Sequence, residues 1–226
     1  AQPLVVSGPN GELALAHNGN VVNADLLRAD LVEQGVEFVT GTDSEVLAQL
    51  IATAPGDTWE QHFEYLMRRA SGAYSLTVLT SDAVFGVRDP YGVRPLCLGR
   101  LDGGWVLASE TCALDTLGAT FVREIERGEV VRIDEAGVHS WLFTERNGSD
   151  QARSALCLLE HIYFARPDSR MMGKLLYPVR MRMGAQLAEE HPADADIVIG
   201  IPDSATAAAS SAAPDLLSVA RPRRWP

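Results

Sequence analysis

Cysteine is scarce: Cys97, Cys112 and Cys157 are the only three in 226 residues, an odd count with no Cys-x-x-Cys pair. That count argues against a disulfide framework and falls short of a four-cysteine metal site. Positive charge is short as well, 19 Lys and Arg against 30 Asp and Glu, for a formal net charge of -11. A surface of that sign does not meet nucleic-acid phosphates broadly, although a pocket for one anion needs only a few groups. No apolar run approaches the ~20 residues that a membrane crossing takes. No charged-then-apolar leader opens the chain. The expectation is a cytoplasmic protein with neither nucleic acid nor membrane as partner. No methionine stands before Ala1, so the chain reads as processed or incomplete. What is present is ordinary for a globular protein, 46% hydrophobic and 22% charged residues, well outside the disordered range. The length suits one large domain, or one domain and part of a second.

Residues 12–16 alternate polar and apolar and predict a short strand, which His17-Asn18-Gly19-Asn20 would turn, since Asn-Gly tolerates positive φ. Asn23 is placed to cap a helix with Leu26, Leu27, Leu31 and Val32 on one face and Gly35 at its end. Residues 36–39 predict a short strand. After Gly41-Thr42-Asp43-Ser44-Glu45, the apolar residues Val46, Leu47, Leu50 and Ile51 share a helical face before Pro55. Asp57 with Glu60 resembles a capping box for a third helix, with Trp59, Phe63, Leu66 and Met67 inward.

From Gly72 the period drops to two. Residues 73–80 and 83–87 read as a hairpin about Ser81-Asp82. Residues 105–109, 129–133 and 138–143 are further strands, the last two joined by Glu135-Ala136-Gly137. Helices followed by antiparallel strands predict an α+β layer architecture, not a doubly wound parallel sheet.

Residues 145–153 are polar, carry Asn147-Gly148 and read as a linker. Residues 155–164 are apolar, and Pro178 can open a helix through Met181 and Leu187 to Glu190. Residues 196–201 predict a buried parallel strand that delivers Asp203, Ser204 and Thr206 at its carboxyl end, where ligands of open α/β sheets sit. From Ser210 the composition changes abruptly. A flexible tail is one reading. A shifted reading frame is favoured, because the strand–loop–helix pattern breaks off as it begins.

A strand that stops in a tight turn can aim a side-chain amide and a backbone N–H in one direction, the pair of donors that an oxyanion needs. Losing one donor typically costs ~3 kcal/mol of transition-state stabilisation. Taken alone, His17-Asn18-Gly19-Asn20 reads better as a plain hairpin turn. Asp43 reads better as an N-cap or first-turn acid than as a ligand for an ammonium group. Arg88-Asp89 reads as a salt bridge or turn anchor, and Cys97 and Cys112 as buried apolar residues on or near strands.

Together, the segments AHNGN, TDSE, RDPYGVRPL at residues 88–96 and ASE at residues 108–110 resemble the class II glutamine amidotransferases. The segment CLLEHIYFARPDS at residues 157–169, with Pro202-Asp203-Ser204 beyond it, narrows the resemblance to their amidophosphoribosyltransferase branch. The resemblance covers residues 1 to about 209, with its pieces in the family's order.

It implies an N-terminal-nucleophile hydrolase fold, an incomplete four-layer α/β/β/α sandwich over residues 1–144. A linker at 145–154, the start of an α/β phosphoribosyltransferase domain at 155–209 and an aberrant or disordered tail at 210–226 complete the expected partition. It implies that Asn18 and Gly19 form the oxyanion hole and that Asp43 holds the glutamine α-amino group. The substrates implied are glutamine and phosphoribosyl pyrophosphate, the product phosphoribosylamine for purine synthesis, and the full-length assembly a homo-oligomer.

The family's nucleophile is a cysteine at the start of the mature chain, activated by its own α-amine. Ala1 does not match it, and Gln2-Pro3 resembles sequence downstream of it, so a front segment is expected to be missing. Mg2+ serves the full-length family at a site expected to lie beyond this chain. Cys157 matches one of four cysteine ligands in the branch that carries a [4Fe-4S] cluster, and reads equally as a core cysteine before a helix. Asp203, Ser204 and Thr206 would only border the phosphate site. Two other readings remain, another class II amidotransferase and a catalytically dead glutaminase-like binding module. On this reading the 226-residue chain alone is inactive: assayed with glutamine, it is expected to release no ammonia, and release above background would contradict the assignment of the nucleophile.

Overall fold

The computed structural model describes residues 1–143, 154–193 and 195–219, without the side chains of 213–219. The chain divides into two compact units, Ala1–Ser109 with Gly118–Leu156, and Glu110–Leu117 with the residues from Cys157 onward. The second unit takes its first helix from within the region that the sequence pattern reads as a single domain.

The first unit opens with a hairpin of β1 (Leu4–Gly8) and β2 (Gly11–Val21). Three helices follow, α1 (Ala24–Glu33), α2 (Asp43–Ala52) and α3 (Trp59–Arg69). Then come β3 (Gly72–Leu79), β4 (Val84–Arg88), β5 (Cys97–Leu101), β6 (Gly104–Ala108), β7 (Thr120–Glu124), β8 (Glu129–Asp134) and β9 (Gly137–Leu142). Six strands pair antiparallel in the order β1-β2-β3-β4-β8-β9, and β6-β5-β7 make a second sheet.

Strand alternation divides the side chains of the large sheet between two cores. On β8, Val130 joins Leu50, Ile51, Phe63 and Leu66 of the helices, while Val131 joins Leu96, Leu98 and Ile125 on the other side. On β4, Phe85 packs among the helical residues, and Gly86 faces Leu107 of β6, whose side chain lies 2.8 Å from where a Cβ would stand. Helices, six-stranded sheet and three-stranded sheet are layers of the expected sandwich, and the fold is mixed α and β.

α2 is enclosed almost all round: from Ser44 to Ala52 only Gln49 escapes burial. On α1, Leu27 and Leu31 are buried but Leu26 and Val32 are exposed. Adjacent residues stand about 100° apart on a helix, and this one buries a narrow stripe. Asn23 is its N-cap without a capping bond, since the side chain binds Arg69 O and Ser71 N–H instead. The capping box of α3 is Thr58 with Gln61, one residue later than Asp57 with Glu60, and Asp57 N–H itself donates to Gln61 Oε1.

Three sequence expectations are corrected by hydrogen bonding. His17-Asn18-Gly19-Asn20 is no turn, because β2 runs straight through it, paired with β3 at His17–Leu76, Asn18–Ser75 and Gly19–Tyr74. Residues 36–39 form no strand. The N–H groups of Val39 and Thr40 go to the Glu45 carboxylate at 2.7 and 2.6 Å, not to a neighbouring strand. Residues 196–201 form no strand either, and Ile197, Ile199 and Ile201 are 71%, 83% and 78% exposed. A parallel strand needs neighbours for its N–H and C=O groups, and none pairs with it among the described residues.

Arg88-Asp89 is a turn anchor. Asp89 is fully buried and accepts the N–H groups of Tyr91 and Val93 at 2.8 and 3.0 Å. Burial lifts its carboxyl above the ordinary value, and the backbone donors oppose that rise. The Arg88 guanidinium donates to the carbonyls of Arg94, Ile125 and Gly92.

The second unit holds α4 (Thr111–Leu117), a π-helical turn at Glu160–Phe164, α5 (Leu176–Glu190) and α6 (Thr206–Val219). Arg180 of α5 is buried and closes the π turn by donating to His161 O at 2.9 Å and Ala165 O at 2.6 Å. α5 and α6 pack backbone to backbone, and a Cβ at Gly184 would stand 2.1 Å from Ala208 O. The alanine-rich α6 runs from Thr206 through Ser210 to Val219, as alanine's helix propensity favours. Residues 145–153 of the expected linker and the tail after 219 lie outside the described residues. No helix among the described residues is long and apolar enough to cross a membrane.

Glu129 supplies a test of the core. It is buried, takes Arg123 in two hydrogen bonds at 2.8 and 2.6 Å, and accepts Glu126 N–H at 2.7 Å. Burial alone would raise its pKa, but the Arg123 and Glu126 donors outweigh it and leave the value lowered. The folded value lies below the unfolded one, so this stabilisation is present at neutral pH and is lost as pH falls through the folded value. Glu129→Gln is expected to cost ~1–3 kcal/mol at pH 7. Thermal unfolding should show a lower Tm whose gap to the unmodified protein narrows in acid.

Candidate functional site

β2 has an edge that β1 covers only in part, since their pairing ends at Leu4–Leu15. In an antiparallel strand, alternate residues turn both N–H and C=O to the same side. His17 turns its pair to this open edge, where the Gln2 side chain takes both. His17 N–H donates to Gln2 Oε1 at 2.6 Å, and Gln2 Nε2 donates to His17 O at 3.1 Å. Two residues past Gly19, Val21 N–H donates to Asp43 Oδ2 at 3.0 Å. Gly19 stands between them, with its N–H turned to the same edge and no strand opposite among the described residues.

Only glycine fits at position 19. Its φ is +155°, and a Cβ there would stand 2.0 Å from Ala73 O and 2.7 Å from His17 Nε2. Asp43 is the first residue of α2, whose N-cap is Thr42, accepting Glu45 N–H at 3.3 Å. Of the two local readings of Asp43, cap and first-turn acid, the structure has the second. An anionic side chain is at home at the positive end of a helix dipole. The loop before it is tied from α1, where Arg28 donates to Thr40 O and Thr42 O at 3.0 Å each.

Asn18 projects from the other face of the sheet, where its Nδ2 donates to Ser109 Oγ at 3.2 Å. A primary amide carries two N–H groups, so Ser109 orients Asn18 and leaves it a second donor. The structure therefore brings Gly19 and Asp43 to one strand edge, while Asn18 approaches that edge from the face opposite α2.

The His17 side chain is 2% exposed, with Nδ1 3.0 Å from Ser44 Oγ and 3.9 Å from Asp43 Oδ1. Burial pulls its imidazole below the ordinary value, and the Asp43 carboxylate opposes that fall. Nε2 faces the Ala73 carbonyl, which also opposes the fall.

Sequence reasoning gave no role to Gln2, His17, Ser44 or Ser109. The segments AHNGN, TDSE and ASE held His17, Ser44 and Ser109, but the contacts that give these residues and Gln2 a role form only across the fold. Two clefts elsewhere, one of about 480 Å³ beside Trp141 and Phe143 and one of about 830 Å³ beside Asp82 and Arg132, include none of Asn18, Gly19 and Asp43.

A four-iron cluster held by four thiolates would need one more cysteine than the sequence holds. No group of three or more His, Cys, Asp or Glu side chains suited to an ion gathers among the described residues. Cys97 is buried on β5 with its thiol directed to Ala108 O, Cys112 is buried on α4, and Cys157 is half-buried. Asp203, Ser204 and Thr206 lie at and just before the start of α6, with no strand delivering them.

Residues 1–116 match the family model described as a glutamine amidotransferase domain. An amidophosphoribosyltransferase of Synechococcus elongatus is 48% identical over 215 residues, covering 92% of this chain and 43% of the relative. One of Homo sapiens is 42% identical over 229 residues, covering 92% and 44%. The solved glutamine phosphoribosylpyrophosphate amidotransferase from B. subtilis, complexed with ADP and GMP, superimposes with a TM-score of 0.85 at 40% identity. It covers 95% of this chain and 46% of that one. The chain spans less than half the length of these relatives.

Gly19→Ala tests the edge. The new Cβ would overlap Ala73 O, so the variant is expected to lose ~2–4 kcal/mol in chemical denaturation. Gly11→Ala, at φ +100° with nothing within 4 Å of its Cβ, should lose only ~1–2 kcal/mol from backbone strain.

Proposed function

We propose, since this chain belongs to the glutamine amidotransferase family, that the open edge of β2 holds glutamine for release of its amide nitrogen as ammonia. In the full-length protein, that ammonia would pass to phosphoribosyl pyrophosphate to give phosphoribosylamine. The observation that carries this reading is the Gly19 amide, facing an edge with no strand partner among the described residues, between a His17 backbone taken by Gln2 and a Val21 N–H taken by Asp43.

In this reading Gly19 N–H and the second N–H of Asn18 donate to the amide oxygen as the carbonyl carbon becomes tetrahedral and that oxygen takes up negative charge. Donors fixed before the reaction stabilise that charge with little reorganisation. A strand backbone and an amide oriented by Ser109 are fixed in this sense. Asp43 accepts the glutamine α-ammonium, which sets the amide against the donors. A thiol outside these 226 residues attacks the amide carbon, the C–N bond breaks and the nitrogen leaves as ammonia with the thiol's proton, and water then hydrolyses the glutamyl thioester to glutamate and the free thiol. The buried thiols of Cys97 and Cys112 are engaged elsewhere, which supports a thiol of separate origin.

The test is kinetic, in the protein extended to the length of its relatives. Asn18→Ala is expected to lower glutamine-dependent turnover ~100-fold while leaving turnover on added ammonia near that of the unmodified protein. Asp43→Asn should act mainly by raising the glutamine KM. Glutamine-dependent turnover unchanged in Asn18→Ala would remove the oxyanion assignment.

A further inference from the structure

We propose that His17 is a positioning residue that keeps the Gly19 amide and the Asp43 carboxylate in register; the inference rests on the glutamine reading of that edge. Its ring is not a group that touches substrate, because the side chain is 2% exposed. It is wedged between β2 and the start of α2, and its two ends meet the two halves of the candidate site.

At one end, Nδ1 lies 3.0 Å from Ser44 Oγ, and that oxygen lies 3.5 Å from Asp43 Oδ1. At the other end the ring lies across Gly19, so close that a Cβ on that residue would stand 2.7 Å from Nε2. The glycine is therefore required on two counts, the approach of the Ala73 carbonyl and the space that the ring takes up. Ser44 Oγ also receives Gln2 Nε2 at 3.4 Å, and Gln2 in turn holds the His17 backbone. The contacts form a closed circuit from His17 through Ser44 and Gln2 back to His17, with Asp43 attached at Ser44.

A circuit of this kind has a physical consequence. Asp43 is tied to β2 directly by one bond, from Val21 N–H. One bond leaves a carboxylate free to rotate about it. With its proton on Nδ1, the imidazole donates to Ser44 Oγ, and the single Ser44 proton is then turned to Asp43 Oδ1, the second point that fixes the rotation. The charged groups that act on the ring are Asp43 of α2 and Arg94 of the segment between β4 and β5, which oppose each other, while Gln2 and Ser44 are neutral. The brace therefore works by hydrogen bonding and packing more than by a charge on the ring.

The experiment measures glutamine-dependent and ammonia-dependent turnover in the protein extended to the length of its relatives, with Tm recorded for each variant. His17→Phe keeps a ring and loses the bond to Ser44. It is expected to raise the glutamine KM about tenfold, the effect of roughly one hydrogen bond, with ammonia-dependent turnover retained. His17→Asn places an amide where Nδ1 stood and should restore most of the affinity. Ser44→Ala removes only the hydroxyl, and the same rise in KM is expected of it.

A glutamine KM unchanged in Ser44→Ala overturns the proposal, whatever the fate of His17→Phe. So does a His17→Asn variant no better than His17→Phe, which would make the ring mere filling. An unmodified protein that turns over ammonia but not glutamine would instead bring down the glutamine reading itself, and the two failures are told apart.

Discussion

β1 pairs with β2 only as far as Leu4–Leu15, and beyond that point no strand among the described residues covers that side of the β2 backbone. Unpaired backbone groups at a strand edge are costly when dry and invite other chains when exposed. This edge is handled residue by residue. Gln2 takes both backbone groups of His17, and Asp43 takes the N–H of Val21. Gly19 between them is left with its amide presented. A fully paired β2 would have no donor to offer, and a fully bare one would be an aggregation hazard.

The groups around that edge are held by elements that have little freedom. α2 is buried on nearly every side, so the acid at its first position does not depend on a mobile loop. The loop ahead of it is clasped from two directions, by Arg28 through Thr40 O and Thr42 O and by Glu45 through the N–H groups of Val39 and Thr40. Asn18 is paired into the sheet by its backbone and oriented by Ser109 through its side chain. A preorganised site needs support of this kind, because donors that must be gathered at the moment of reaction give back much of their benefit.

In the second unit, polar groups are spent on holding irregular backbone. Arg180 fills the carbonyls of a π-helical turn, and Glu110 receives Arg166 N–H at 2.7 Å and Ser169 Oγ at 2.8 Å. Ile197, Ile199 and Ile201 show the alternation of a strand yet stand exposed. Their apolar character is a strand signal that pairing among the described residues does not satisfy.

The alternating and helical periods of the sequence were enough to specify the hairpin about Ser81-Asp82, the apolar face of α2 and the inward residues Phe63, Leu66 and Met67 of α3. Each of these is local: side chains three or four apart, or two apart, meet whatever the rest of the fold does. The order of motifs was likewise enough to identify the family. Tertiary structure alone decided the rest. Asn-Gly at 18–19 carries the propensity of a turn, and only the ladder to β3 draws it straight. Leu26 and Val32 match their buried neighbours in kind, and only the position of the sheet leaves them outside. Gln2, His17 and Ser44 lie far apart in the chain, and no period or motif joins them. They acquire a role because β2 and α2 cross where an unpaired edge has polar groups to satisfy, and that requirement exists only once the strands have been laid side by side.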